Sequence, residues 1–350
     1  MGTARRRFAG DSLFVAAVRT LLLFAVLTAA FGMKAEAQQD NIWLGGTTAW
    51  STASNWSLNA VPTNAHNVRI PLAANLPTLS AASVARTITF VDSLTGSATA
   101  TLTVGTQTLT VGTAGFPGDI TINNNGVISV STGTVALTNG GTMTINAGGS
   151  VTATGAAIFN VNGNWTDNGG TFTPSTSTIS FNNTTTAQTI GGTAASQTFN
   201  NLTINKAAGI LLSVGGSTTS LTVNNLTETL GNFTAPATMS VTGALTRTAG
   251  TFTAGTDVNV GGNWSAATGS VFTPGTGTVT FNGTGAQSIL GTLATKNFNN
   301  LTINKTAATL LNMTAGTAIT VSGNLTETQG NFTPPATLTV TGSVTLTAGT

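Results

Sequence analysis

Phe199-Asn200-Asn201-Leu202-Thr203-Ile204-Asn205-Lys206 returns, 99 residues later, as Phe298-Asn299-Asn300-Leu301-Thr302-Ile303-Asn304-Lys305. At the same offset Leu226-Thr-Glu-Thr-Leu-Gly-Asn-Phe-Thr234 comes back from Leu325 to Thr333, and Gly163-Asn164-Trp165 as Gly262-Asn263-Trp264. Between these anchors the spacing slips by one residue and recovers, as with Phe181 and Phe281; turns tolerate such slips and strands do not. A shorter period lies inside the long one. Leu226 to Phe233 resembles Leu245 to Phe252, and Val223, Val241, Val260 and Val279 recur at 18 to 19 residues. Within each copy apolar and polar residues alternate, as in Met239-Ser240-Val241 and Val258-Asn259-Val260, which sets one face inward and one outward on a strand.

Working outward, residues 127 to 161 carry apolar pairs about every 8 residues with Gly or Asn between them, which reads as strand, turn, strand. No helical period follows Ala37. The fold expected is all-β, a parallel β-helix (β-solenoid), with coils of 18 to 19 residues and about five coils per long unit. An array of β-sandwich repeats is the alternative, but its strands would not copy one another at so short a period. Asn-Asn at 200–201, 224–225 and 299–300 is expected to stack at corners, where Asn tolerates a left-handed backbone and bonds its neighbours above and below. Triplets such as Asn201-Leu-Thr203 match a glycosylation pattern, though a chain this rich in Asn and Thr produces them by composition.

The N-terminus is of another kind. Arg5, Arg6, Arg7 and Arg19 precede an apolar run from Leu21 to Met33, followed by Ala35-Glu36-Ala37. That is the layout of a secretory signal peptide over 1–37, with Ala35 and Ala37 at the cleavage site. The run is shorter than the roughly 20 residues a spanning helix needs. Removing it changes the charge argument. The whole chain has a net charge of +2, but after Ala37 there remain Arg69, Arg86, Lys206, Arg247, Lys296 and Lys305 against Asp40, Asp92, Asp119, Asp167, Glu228, Asp257 and Glu327, six against seven. A slightly acidic mature chain without a basic stripe gives no footing for nucleic acid as a partner, and no membrane span is expected in it. There is no cysteine, so stacked hydrogen-bonded rungs, with the solenoid monomeric along its length, must do what disulfides do in many exported proteins.

The sequence divides into a signal segment, a cap and first coil over 38–80, solenoid coils over 81–160, and repeat units over 161–350, the last one cut short at Thr350, so that further units are expected beyond it. The cap segment holds Trp43, Trp50 and Trp56 and the sole histidine, His66. Those three Trp admit a second reading as a glycan-contact patch, since indole faces stack on sugars.

Trp43-Leu-Gly-Gly46, Asn55-Trp56, Val61-Pro62 and Asn67-Val-Arg-Ile-Pro71, together with the Phe-Asn-Asn-Leu-Thr-Ile-Asn-Lys units, resemble large secreted bacterial β-strand-repeat proteins of the adhesin and autotransporter-passenger kind. The resemblance implies an extracellular location at a Gram-negative cell surface, adhesion or a place in a biofilm matrix, and a C-terminal anchor or secretion domain.

The residues themselves offer little reactive chemistry. The carboxylates after Ala37 are scattered, whereas pectate-lyase-like and glycosidase sites need them clustered or paired. His66 has neither cysteine nor a second histidine for zinc, nor a positioned acid for a triad. Gly191-Gly192 and Gly261-Gly262 lack the helix and Lys-Ser/Thr of a phosphate loop. No catalysis, metal or cofactor is expected. The function expected is a secreted surface or matrix component of structural or adhesive kind, whose partner is a surface polysaccharide or the surface of a host or neighbouring cell. A polysaccharide-binding module is the alternative. An ice-binding face is a more remote one, suggested by Thr106-Gln-Thr108-Leu-Thr110 and Thr337-Leu-Thr339-Val-Thr341. Glu228, its repeat equivalent Glu327 and Arg247, which aligns with them in the shorter copy, are placed for charge pairing between coils. Such a pair, if exposed, would do no more than set register.

Overall fold

The computed structural model describes residues 38–91, 98–314 and 316–348. The signal segment, with Ala35 and Ala37, lies outside them. Alternation of β-branched or other apolar residues with Thr, Ser and Asn favours pleated strands buried on one side, and among the described residues the sole helical element is one 3-10 turn, Ala53–Asn55. The strands stack in parallel into a β-solenoid of about 13 turns, with three strand segments to a turn.

The chain visits the three faces in a fixed order. Face one begins with Gln39–Ile42, His66–Ile70 and Thr87–Phe90 and runs through Trp165–Asn168 and Gln188–Gly192 to 271–273. Face two begins with Ala100–Gly105, Gly126–Val130, Ser150–Ala153 and Thr171–Thr173. Face three begins with Ser83–Ala85 and Thr108–Val111 and continues through Thr178–Phe181 and 201–204. Like stacks on like: Phe199, Val223, Val241, Val260, Phe281 and Ile303 form one inward column. Each such side chain is at most 2% exposed and contributes on the order of 1.5–3 kcal/mol by leaving water. Among the described residues no helix is long and apolar enough to cross a membrane.

Two expectations about the repeat need correction. The 18- and 19-residue steps hold locally, from Leu221 to Met239 to Val258, but Leu109 to Val135 is 26 residues and Leu202 to Leu226 is 24. Loops and one-residue bulges at the corners take up the difference, as between Arg247 and Ala249, while the register within each face segment is kept. From Trp165 to Trp264 there are eleven strands, of which Ser196–Asn205, Ser220–Leu230 and Leu245–Thr253 bend across a corner and serve two faces each. That makes fourteen face segments, or four and two-thirds turns rather than five. Repeat-equivalent residues therefore lie on different faces: Trp165 on face one, Trp264 on face three.

The corner Asn residues do form ladders. Asn225 Nδ2 donates to Asn201 Oδ1 at 2.9 Å, Asn201 Nδ2 donates to the Ser177 carbonyl at 3.2 Å, and Asn225 Oδ1 accepts from the Ala244 amide at 2.9 Å. A second ladder runs Asn168 to Asn146 to Asn123 to the Phe90 carbonyl. Neither pair at 200–201 or 224–225, nor that at 299–300, is left-handed, however; positive φ falls elsewhere, as at Asn125 and Asn139. The side-chain ladder, with backbone bonds such as that from the Gly243 amide to the Asn224 carbonyl at 2.7 Å, holds these corners without a left-handed residue.

Candidate clefts where the wall opens

The hydrogen-bonded ladder of face two ends at Thr171–Thr173. The next segment on that face, 196–199, pairs forward with 220–223 but not back. One repeat later the same thing happens on face one: 271–273 pairs back with 251–253, and Thr295–Phe298 pairs only forward, with Ala318–Val321. At each lapse the wall opens into a cleft, of about 220 Å³ at the first and about 160 Å³ at the second.

The two clefts are built from equivalent residues. The first is lined by Trp165, Asp167, Phe172, Gln197 and Phe199, the second by Trp264, Ala266, Phe272, Lys296 and Phe298. The ring triads match. Trp165 lies 4.9 Å from Phe172 and 5.3 Å from Phe199, centroid to centroid, and Trp264 lies 5.0 Å from Phe272 and 5.6 Å from Phe298. Ring contacts span each lapse, Phe172 to Phe199 at 5.8 Å and Phe272 to Phe298 at 6.0 Å, but aromatic stacking alone does not open a ladder, since Phe233 and Phe252 stack 5.3 Å apart on paired strands.

The polar residues diverge. In the first cleft Asp167 Oδ1 accepts the amides of Gly169 and Gly170, at 3.0 and 2.9 Å, and burial nonetheless raises its pKa above the usual carboxylate value. Gln197 Nε2 donates to the Gly191 carbonyl at 3.0 Å. In the second, Lys296 stands where Gln197 does and donates to the carbonyls of Gly291 and Leu293, at 3.2 and 2.7 Å. It is 2% exposed, and burial lowers its pKa. Arg247 reaches the same cleft from face three. Its Nε donates to Glu228 Oε2 at 2.7 Å, and its Nη2 to the Val271 carbonyl at 2.5 Å, which the lapse of pairing leaves free. Nη1 of Arg247 and Nε1 of Trp264 have no partner.

The Glu228–Arg247 pair that the sequence aligned does form, but it is interior, with side-chain exposures of 1% and 0%. Burial raises the Glu228 pKa against the opposing pull of Arg247, and lowers that of Arg247 against the pull of Glu228. Lys206 and Lys305 are also interior, each donating to a buried glutamine: Lys206 Nζ to Gln188 Oε1 at 2.5 Å, Lys305 Nζ to Gln287 Oε1 at 2.7 Å. Gln188 and Gln287 in turn donate to the carbonyls of Val161 and Val260, at 2.9 Å each. Burial pushes the Lys206 ammonium down to about 8. Glu327 is buried opposite Leu346, without a cation, and its pKa is raised by that burial.

The N-terminal tryptophans are not a glycan platform. Trp43, Trp50 and Trp56 are each 1% exposed and pack edge to face, with centroids 4.9 and 4.7 Å apart. Trp43 Nε1 donates to the Asn75 carbonyl at 2.7 Å and Trp56 Nε1 to that of Trp50 at 2.8 Å. Rings held this way have no free face for a sugar. His66 Nδ1 accepts the Thr63 amide at 3.1 Å, a local turn contact. Among the described residues no three His, Cys, Asp or Glu side chains converge as metal ligands.

What the sequence reading missed was burial of charge. Seven charged side chains, Asp167, Lys206, Glu228, Arg247, Lys296, Lys305 and Glu327, are interior. Among the described residues after Asp119, Asp257 is the one charged side chain on the outside. A scan against protein-family models and searches of curated proteins and of solved structures all return no match to this chain.

Proposed function

We propose that the protein is a secreted structural or adhesive component of a cell surface or extracellular matrix, with no catalytic role for this segment. One observation carries the reading: from residue 120 to 348 the outward surface is mostly Thr, Ser, Asn and Gly, with a single charge and a few exposed apolar side chains such as Ile158, Val271, Val344 and Leu346, on a wall of stacked rungs. On face two the outward column Thr198, Thr222, Ser240, Asn259, Thr280, Thr302 and Thr326 stays in register over seven rungs. A long face of hydroxyls and amides, on which Asp257 is the one charge, can meet a polysaccharide or another polar surface over many rungs by hydrogen bonds, with little charge to desolvate. The signal-like N-terminus supports export, and the resemblance of the repeats to adhesin and passenger regions supports a Gram-negative surface. Beads coated with the protein should be retained on polysaccharide films or cell layers under flow, and deletion of its gene should reduce attachment. Retention no better than that of albumin-coated beads, with attachment unchanged in the deletion strain, refutes the reading.

The same column favours a second reading. Hydroxyls at rung spacing, interrupted at Asn259, form an ordered array of the kind that could order water, and ice binding would follow. Ice recrystallisation proceeding unchecked in the presence of the protein removes it.

A further inference from the structure

We propose that the outward face around Asp257 takes an amine-bearing polysaccharide, a chain of hexosamine units with free amino groups, whose ammonium meets the Asp257 carboxylate. The inference rests on the surface reading above and narrows its partner. Charge outside the solenoid is one-sided. Among the described residues Arg69 and Arg86 are the only lysine or arginine side chains not buried, and both lie near the N-terminal end. Lys206, Arg247, Lys296 and Lys305 are each at most 2% exposed. A uronate, sulfate or phosphate chain lying along the solenoid beyond residue 120 therefore meets no cation to replace its lost water. A chain carrying ammonium groups meets one carboxylate.

Asp257 is built into the array rather than hung on a loop. It opens the strand Asp257–Val260 on face two, where its Cα partners on the rungs below and above are Thr238 and Thr278. Two residues on, on the same outward side, Asn259 stands between Ser240 and Thr280. The carboxylate is thus framed by four hydroxyls and one amide, at the ~4.8 Å spacing of rungs and the ~7 Å spacing of alternate residues along a strand. Its side chain is exposed and, among the described residues, makes no hydrogen bond or ion pair. Aspartate is a residue that strands disfavour, and the other rungs of this column carry Ser196, Ser220, Thr238, Thr278 and Asn300. Nothing inside the protein compensates for the exception. An ammonium, with three donors, would be met by the carboxylate and the hydroxyls beside it, while the sugar hydroxyls continue along the columns.

The test measures binding isotherms on films of chitosan, of chitin (its N-acetylated, uncharged form) and of alginate, a polyuronate, at pH 6 and low salt. Exposed ion pairs are weak, so chitosan should bind about two- to fivefold tighter than chitin. Alginate should bind more weakly than either. The preference should vanish in about 1 M NaCl, where the screening length is ~3 Å. Asp257→Asn should keep its circular dichroism and its chitin binding and lose the preference. Asp119→Asn is the control. It removes the same charge away from the array and keeps an oxygen for the Thr142 amide, which Asp119 Oδ1 accepts at 2.8 Å; it should retain the preference. Equal binding of chitosan and chitin, a preference that survives in Asp257→Asn, or one lost equally in Asp119→Asn would each overturn the inference and leave the polysaccharide reading standing. Binding to none of the films would overturn both. Self-association of Asp257→Asn with its preference unchanged would overturn the inference in favour of a charge that keeps two copies apart.

Discussion

Glu228→Gln removes one charge from a pair that has no water to fall back on. Glu228 and Arg247 stack on adjacent rungs of an inward column whose other members, Phe181, Ile204 and Ala266, are apolar. The small Ala266 leaves room for the guanidinium to run toward the Val271 carbonyl. With side-chain exposures of 1% and 0%, solvent screening is small, and stripping one partner from a buried pair costs about 3–5 kcal/mol. Arg247→Met should cost a similar amount, by leaving Glu228 unpaired. The double variant Glu228→Leu/Arg247→Met restores an apolar column, as the next unit does in part with Leu346 at the arginine position. It should be within about 1 kcal/mol of the parent, or more stable, giving a coupling energy of about 3 kcal/mol or more. Solenoids can open locally, so the assay is hydrogen exchange at the amides of 226–228 and 245–247, alongside urea denaturation. Single substitutions that each cost less than 1 kcal/mol, with an additive double, would show that the pair is not the buried, coupled unit described.

Lys206 makes stability depend on alkaline pH. Its folded pKa, about 8, lies below the ordinary 10.5, so between the two the unfolded chain binds the proton that the folded chain has lost, and stability rises with pH across that window by up to ~3 kcal/mol. Urea midpoints that stay flat from pH 8 to 10, or a rise undiminished in Lys206→Met, would contradict this. Gly250 has φ +98, and a Cβ there would sit 1.7 Å from the Gly231 carbonyl oxygen of the rung below; Gly250→Ala should destabilise by more than the ~1–3 kcal/mol of backbone strain alone, and a melting temperature within a degree of the parent would refute it. All five Trp are 1% exposed, so acrylamide should barely quench their emission and neutral oligosaccharides should leave it unshifted. Strong quenching in the native state would place at least one of them outside.

Fold and burial were legible to different extents, for a physical reason. Period two told inside from outside, and the series Val223, Val241, Val260 was legible, but its fourth member, Val279, stacks on Val258 while Phe281 stacks on Val260. Applied strictly, the same rule places the charges as well. Asp167, Glu228, Arg247 and Glu327 each follow an inward Trp or Leu by two residues, Lys206 and Lys305 follow an inward Ile by two, and Lys296 precedes inward Phe298 by two. The expectation that charges stay in water pointed the other way, and it failed because the interior supplies partners for most of them: carbonyls and the side-chain oxygens of Gln188 and Gln287 for the lysines, backbone amides for Asp167, and each other for Glu228 and Arg247. The tryptophans at 43, 50 and 56 misled for the converse reason. They sit in loops rather than strands, where no period says which way a ring turns. The openings in the wall were not legible, because strand pairing is a relation between rungs and leaves no local mark. The recurrence of Trp165, Phe172 and Phe199 as Trp264, Phe272 and Phe298 was their trace in the sequence.

The count of fourteen face segments per repeat explains how the wall tolerates those openings. Fourteen is not a multiple of three, so each unit starts two-thirds of a turn round from the last, and the second opening falls on face one rather than above the first on face two. Around the first opening, face one stays paired through Trp165 and Ile190 and face three through Thr178 and Asn201. Around the second, face two is held by Thr278 and Asn300 and face three by Trp264 and Ile289. Had the repeat spanned fifteen segments, the openings would align along one face into a seam of unpaired edges, which is where parallel stacks part or add foreign strands. An insertion that adds one face segment between Thr173 and 270 should therefore bring the second opening onto face two. It should lower the unfolding cooperativity of the solenoid more than an insertion of equal length placed before residue 165, and equal effects of the two insertions would refute this account of the repeat length.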